Sequence, residues 1–345
     1  MQRVLIVGLG LIGGSIGLAL RRWSDERKSD GRPPLEITGF DTNLDHQRAA
    51  EKMGAVDRGA WDLAKASRDA DIVIVSTPVL AMRDVFADLA PNLRQGTVVT
   101  DTASTKANVL AWAAEFLPAG IQFVGGHPMA GKTQSIEGAE ADLFTGATWC
   151  IAPAVSASED AVRTVLGLVA ACGAEAFFVD PHEHDGYVAG VSHLPFVLSA
   201  TLMNAISRDS SWRDMKSLTA GGFRDTTRLA AGSPAMHRDI VLTNRDAVVR
   251  WIDAYMDTLG DFRQALTATD DPAAALDAYF NEARDARALW ATQTTREGEL
   301  LQGTAAELQP ESVSEHMGRM FLGGFARRLR TPPTRGGSNS QATDR

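Results

Sequence analysis

Residues 4–15 constrain this chain more than any other stretch. Val4-Leu5-Ile6-Val7 is a short apolar, β-branched run of the kind that forms a buried parallel strand. Gly8-Leu9-Gly10-Leu11-Ile12-Gly13 follows directly, a GxGxxG spacing, and Ile16 to Arg22 continues as a helix. Strand, glycine turn and helix in that order open a βαβ unit whose helix N-terminus offers free N–H groups and a favourable dipole to phosphate. Gly8 is expected to allow the tight turn, Gly10 to let backbone approach a pyrophosphate, and Gly13 to let helix and strand pack closely. Glycines at a helix start cost stability, so a bare turn without a ligand is the weaker reading.

Glu36 to Asp41 reads as the second strand. A carboxylate at its end can accept from both adenosine ribose hydroxyls and would repel a 2′-phosphate, so Asp41 selects NAD over NADP. A plain turn at Asp41-Thr42-Asn43 is the competing account. Residues 24–34 are polar and breaker-rich, expected as a surface loop, and they explain the long interval between the glycines and Asp41.

The alternation continues. Asp71 to Ser76 is a strand stopped by Thr77-Pro78, and Thr97–Asp101, Gln122–Gly126, Thr148–Ile151 and Glu175–Val179 are further strands separated by helical patterns. That order specifies a mostly parallel, doubly wound Rossmann-type sheet. Leu9, Leu11, Ile12, Thr77 and Pro78 join Gly8, Gly10, Gly13 and Asp41 as expected cofactor contacts at its edge. After Asp180 the pattern becomes helix after helix: Val188–Ile206, Asp239–Leu266 and Pro272–Trp290. The expected organisation is a dinucleotide-binding domain over 1–180, an all-α domain over 181–330, and a Pro/Gly/Ser-rich disordered tail over 331–345.

The chain's 345 residues suit two domains, and its net charge of −9 disfavours a nucleic-acid partner. No secretory leader and no membrane-spanning apolar stretch is expected, which reads as cytoplasmic. The two cysteines, Cys150 and Cys172, lack metal-ligand spacing and are expected as buried thiols, with no metal site.

Two more stretches fall at strand ends, where open α/β sheets place their ligands: Asp101-Thr102-Ala103-Ser104-Thr105-Lys106 and Gly125-Gly126-His127-Pro128-Met129-Ala130-Gly131. His127 beside a dinucleotide site is a candidate catalytic base, because a neutral imidazole can take a hydroxyl proton near pH 7. Together with His184-Asp185, Val191-Ser192-His193-Leu194-Pro195 and Gly221-Gly222-Phe223-Arg224-Asp225-Thr226-Thr227-Arg228-Leu229-Ala230, these motifs resemble the prephenate/arogenate dehydrogenases of tyrosine biosynthesis, from the first strand to about residue 265.

The resemblance implies a 6-phosphogluconate-dehydrogenase-like helical dimerisation domain, a homodimer, and an NAD-dependent oxidative decarboxylation of prephenate or arogenate. It implies that His127 accepts the proton of the C4 hydroxyl, that Ser104 orients it, and that Arg228 holds a substrate carboxylate. Arg224, four residues earlier, is the second candidate, and His193 is either a substrate contact or a packing histidine. Two positions depart from the family pattern: Phe196, where a histidine often stands, and Lys132-Thr133, where Thr-Glu is common. The alternatives are a related dehydrogenase acting on a β-hydroxyacid or imine, which usually employs a lysine, and a non-catalytic dinucleotide sensor.

Overall fold

The computed structural model describes residues 2–307 except Arg32 and residues 268–270. Eight strands form one sheet: β1 (Arg3–Val7), β2 (Glu36–Phe40), β3 (Arg58–Gly59), β4 (Ile72–Val75), β5 (Val98–Asp101), β6 (Gln122–Pro128), β7 (Thr148–Pro153) and β8 (Glu175–Phe178). Their order is β3-β2-β1-β4-β5-β6-β7-β8, and every neighbouring pair is parallel except β6–β7. The strand order reverses at β1, so the crevice beyond the C-terminal ends of β1 and β4 is the ligand-binding position of such sheets.

Helices α1 (Leu11–Glu26), α2 (Leu44–Lys52), α3 (Leu63–Asp69), α4 (Met82–Leu89), α5 (Ala107–Phe116) and α6 (Glu159–Ala171) connect the strands. Alternation along β1 sorts its side chains to two cores. Val4 and Ile6 pack with Ile37, Ile72, Ile74 and the α6 residues Val165 and Leu168, while Leu5 and Val7 pack with Val73, Val75, Phe86 and Val109. Both cysteines are free and buried.

Asp180 changes the pattern from strand to helix. Its side chain caps α7 (Pro181–Val188) by accepting from His182 N–H. A π-helical turn at Ala189–His193 then leads into α8 (Leu194–Ser207). α9 (Trp212–Met215), α10 (Gly221–Thr227), α11 (Pro234–Thr243) and α12 (Arg245–Thr267) follow. The chain forms two compact units, Met1–Pro272 and Ala273–Arg345, and the second contributes α13 (Pro272–Glu307). The expected tail at 331–345 lies outside the described residues.

Three sequence expectations are corrected. The first half of the expected 24–34 loop is helical: α1 runs on to Glu26 and a 3-10 turn covers Arg27–Asp30. Ser24 is buried there, accepting from Leu35 N–H, and the Arg27 guanidinium stacks over Trp23. The expected helix Asp239–Leu266 is broken at Asn244, whose side chain leaves the helix for tertiary partners. Finally, Pro181–Ser207 is 27 residues long and an 18-residue window within it has a mean hydropathy of 1.3, so one helical stretch does meet the length and composition of a membrane span. Its polar residues His184, Asp185 and His193 are buried and hydrogen-bonded to the rest of the fold.

Candidate active site

The cofactor side of the crevice begins at Gly8, whose φ of +93° and N–H bond to Phe40 O turn the chain sharply after β1. A Cβ at Gly8 would sit 2.5 Å from Ser76 O, and one at Gly13 only 1.9 Å from Gly8 O, so both positions require glycine. Gly10 differs: its nearest neighbour would be Ser135 Oγ at 3.8 Å. α1 starts there with no side-chain cap and no acidic residue in its first turn, leaving the N–H groups of Leu11, Ile12 and Gly13 without intrahelical acceptors. This opening suits a pyrophosphate. Thr77, just beyond β4, adds a buried hydroxyl with no hydrogen-bond partner.

Asp41 has two roles at this loop. Its Oδ2 accepts from Leu9 N–H at 2.7 Å and its Oδ1 from Asn43 N–H at 2.8 Å. The turn and the ribose readings are therefore compatible, because each carboxylate oxygen keeps a second acceptor site. Leu9 itself is buried with its N–H engaged, so it serves the loop's shape.

The chemistry side lies at the ends of β5 and β6. Asp101 and Lys106 form a fully buried ion pair. Asp101 also accepts from Ala103 N–H at 2.8 Å and Gly126 N–H at 3.0 Å, fixing the two strand-end loops together. Burial pulls the Lys106 ammonium pKa down while Asp101 opposes that effect. Lys106 begins α5, which has no cap from its own sequence. Asp185 of α7 supplies it, accepting from the N–H groups of Lys106 and Ala107 at 2.7 and 2.9 Å.

His127 stands on β6 opposite Cys150 of β7. Its Nδ1 lies 2.9 Å from His184 Nε2, and His184 Nδ1 lies 2.8 Å from Asp185 Oδ1. Burial, followed by His184, Lys106 and His193, holds the His127 pKa well below the usual imidazole range. His127 is therefore neutral at pH 7. Ser104, to which the resemblance assigns its orientation, is half-buried on the same edge, but the ring nitrogen facing the protein is taken by His184.

His193 is 1% exposed. Asn244 joins it to the same centre, its side-chain amide lying 3.2 Å from His193 Nδ1 and 2.7 Å from the Asp185 carbonyl. His193 Nε2 is buried without a partner. Burial lowers the His193 pKa to about 4 against the pull of Asp185. It is thus a buried neutral histidine with Nε2 still free to accept. Phe196 stacks flat on His237 of α11, with centroids 4.2 Å apart and planes 2° apart. The imidazole beside that family position comes from His237, a residue sequence reasoning missed.

Arg224 lies on α10 and Arg228 caps its end. Both are exposed, and neither is paired with a carboxylate among the described residues. This segment is anchored on α8 where Ala230 N–H donates to Ser199 Oγ at 2.9 Å. Among the described residues the His127 side chain hydrogen-bonds to His184, not to either arginine. Lys132, at the second departure, pairs with Glu140 at 2.6 Å.

Residues 16–178 match the family described as prephenate dehydrogenase, nucleotide-binding domain, and residues 180–282 that described as prephenate dehydrogenase, dimerization domain. Prephenate dehydrogenase of Bacillus subtilis is 34% identical over 287 residues, 82% of this chain and 75% of that protein. The A. aeolicus prephenate dehydrogenase structure in complex with hydroxyphenyl propionate and NAD+ superposes with a TM-score of 0.75 at 30% identity, covering 83% of this chain and 97% of that one. The structure of Synechocystis arogenate dehydrogenase superposes at 0.69 with 26% identity, covering 84% and 100%. With residues 16–178 and 180–282 matched to its two domains and a relative 34% identical over 82% of its length, the chain belongs to the prephenate dehydrogenase family of NAD-dependent oxidoreductases.

Proposed function

We propose that this protein oxidises and decarboxylates prephenate to 4-hydroxyphenylpyruvate in tyrosine biosynthesis, acting in the cytoplasm as a homodimer. The observation that carries the chemistry is His127: a neutral, buried imidazole on β6, on the same sheet whose β1 end carries the glycine loop, with Nδ1 held by His184 at 2.9 Å.

Bound NAD+ supplies the acceptor for the C4 hydride. As that hydride leaves, the carbinol carbon becomes a carbonyl and the C4 hydroxyl must lose its proton. His127 Nε2 takes it, and Ser104 on the same sheet edge contributes a hydroxyl to hold the C4 oxygen. The ring carboxylate departs as CO2 and its electron pair completes the aromatic ring, which makes the step downhill. Arg228, with Arg224 next to it, offers a planar guanidinium free of protein carboxylates for a substrate carboxylate. His193 backs the pocket through Asn244. Residues 1–180 hold the cofactor, and the helical segment after Asp180 brings Arg224 and Arg228 for the substrate.

Lys132 bears on the side chain of the substrate. Arogenate carries an ammonium where prephenate has a keto group, so a carboxylate would favour arogenate. This chain places a lysine there and engages the nearby Glu140 with it, which favours the keto acid. A dimer is supported by the apolar side chains that the helices leave exposed, among them Tyr187, Val191, Met256 and Leu259.

The decisive experiment assays prephenate and arogenate side by side with NAD+ and NADP+, following reduced cofactor and aromatic product. Turnover of prephenate with NAD+ as the preferred pair is expected. Tight NAD+ binding with no turnover of either cyclohexadienol would return the chain to the sensor reading.

A further inference from the structure

A chain of hydrogen bonds reaches His127 from behind, and its polarity can be worked out from one end. The Asp185 carboxylate accepts two backbone N–H groups at the start of α5, one on each oxygen. An ionised carboxylate has no hydrogen to give, so the 2.8 Å contact with His184 Nδ1 requires the proton to be on that nitrogen. A neutral His184 then has only a lone pair at Nε2. The 2.9 Å contact with His127 Nδ1 is therefore donated by His127. With its single proton on Nδ1, neutral His127 has none on Nε2. All three residues are buried, so water does not compete for these positions. The arrangement arises from long-range folding: His184 and His127 are 57 residues apart, on α7 and β6.

Resting on the reaction proposed above, we propose that His184 and Asp185 are positioning residues that lock His127 in the tautomer with hydrogen on Nδ1, leaving Nε2 as a permanent acceptor for the substrate's hydroxyl proton. When Nε2 takes that proton, His127 becomes an imidazolium whose Nδ1–H still points to His184, and the Asp185 charge stabilises it through the intervening ring. No further proton needs to move along the chain. The histidine of a hydrolytic triad is held in the same way by its carboxylate. Here a second imidazole is inserted between carboxylate and base.

The test reads the tautomer directly. Full-length protein labelled with ¹⁵N-histidine is examined by NMR with NAD+ bound near pH 7.5, and His127 is assigned by difference from His127→Asn. The expected result is a protonated Nδ1 and an unprotonated Nε2 on both His127 and His184. A proton on His127 Nε2, or a doubly protonated His184, overturns the proposal. His184→Asn keeps a donor for Asp185 but no longer reaches His127. It should lower kcat by at least ~100-fold, in the range of wrong-tautomer losses, while KM and NAD+ affinity stay within about threefold and the His127 signal moves to Nε2–H. His184→Gln, which restores an amide within reach of His127, should recover part of kcat. Unchanged kcat in His184→Asn also overturns the proposal. If that variant does not fold, the wild-type tautomer still decides. The spectrum counts for or against the relay whichever cyclohexadienol is turned over.

Discussion

Acidification should destabilise this protein through His193, by an amount the structure allows to be worked out. His193 is buried with Nε2 unpartnered, and its pKa lies at about 4 instead of the usual 6.5. The folded-state value is the lower one, so between the two values the unfolded chain binds a proton that the folded chain refuses. Stability is therefore full above the unfolded pKa and falls as pH drops through the window from 6.5 towards 4. At pH 5 the unfolded imidazole is protonated about thirtyfold over its neutral form, and RT ln of that ratio gives a loss of about 2 kcal/mol relative to pH 7.5. For a chain of this size that corresponds to a fall in Tm of about 3 °C from this residue. The assay compares thermal unfolding of the wild type and His193→Asn across pH 5–7.5. Asparagine places an oxygen near the position of Nδ1, where it can accept from Asn244, but it does not titrate. His127 shares the direction of shift, and burial, its largest cause, is present in both proteins, so the difference between the two curves reports chiefly on His193. The variant should lose less stability on acidification. Parallel curves would refute the reasoning.

Other perturbations follow from the same geometry. Gly13→Ala drives a methyl into Gly8 O; the helix must shift, at a cost of ~1–3 kcal/mol, and NAD+ affinity measured by calorimetry should fall at least tenfold. Lys106→Met strands the buried Asp101 carboxylate and should cost ~3–5 kcal/mol in denaturant unfolding, towards the lower figure because two backbone N–H groups remain; Asp101→Asn in the same chain should restore part of it. Arg228→Ala should raise KM for prephenate ~10–100-fold, as expected for a lost charged hydrogen bond, with kcat little changed. An unmoved KM removes Arg228 from the site.

Local signals carried the fold far. Glycine spacing and strand endings located Gly8–Gly13, Asp41 and His127 because each depends on the backbone conformation of its own few residues. β3 and α3 escaped notice: the strand has two residues, and the helix, Leu63-Ala-Lys-Ala-Ser-Arg-Asp69, is too short for a clear apolar face. The break at Asn244 carries no proline or glycine signal of its own, and the π-helical turn at Ala189–His193 has only Gly190 within it and Pro195 just after, which do not specify that geometry. Asn244 leaves the helix to bond Asp185 and His193 more than 50 residues away. The Asp101–Lys106 pair had a legible trace, two charges flanking a strand end in an otherwise uncharged stretch, but only packing shows that both are buried. His237 is invisible from sequence because its place on Phe196 is set by how α11 crosses α8.

The bonds around α5 carry a mechanical consequence. Asp185 closes the start of that helix, Thr105 donates to Thr243 at 3.0 Å, and Asn108 donates to the Thr243 carbonyl at 2.7 Å. Every one of these ties the start of α5 to the helices that follow Asp180, and Asp185 among them also bonds His184, which contacts His127. If these two layers swung apart as a jaw to admit substrate, each turnover would break the support of His127. The seam is a weld, whereas Gly131, Lys132 and Thr133 in the loop after β6 are exposed and take no part in it.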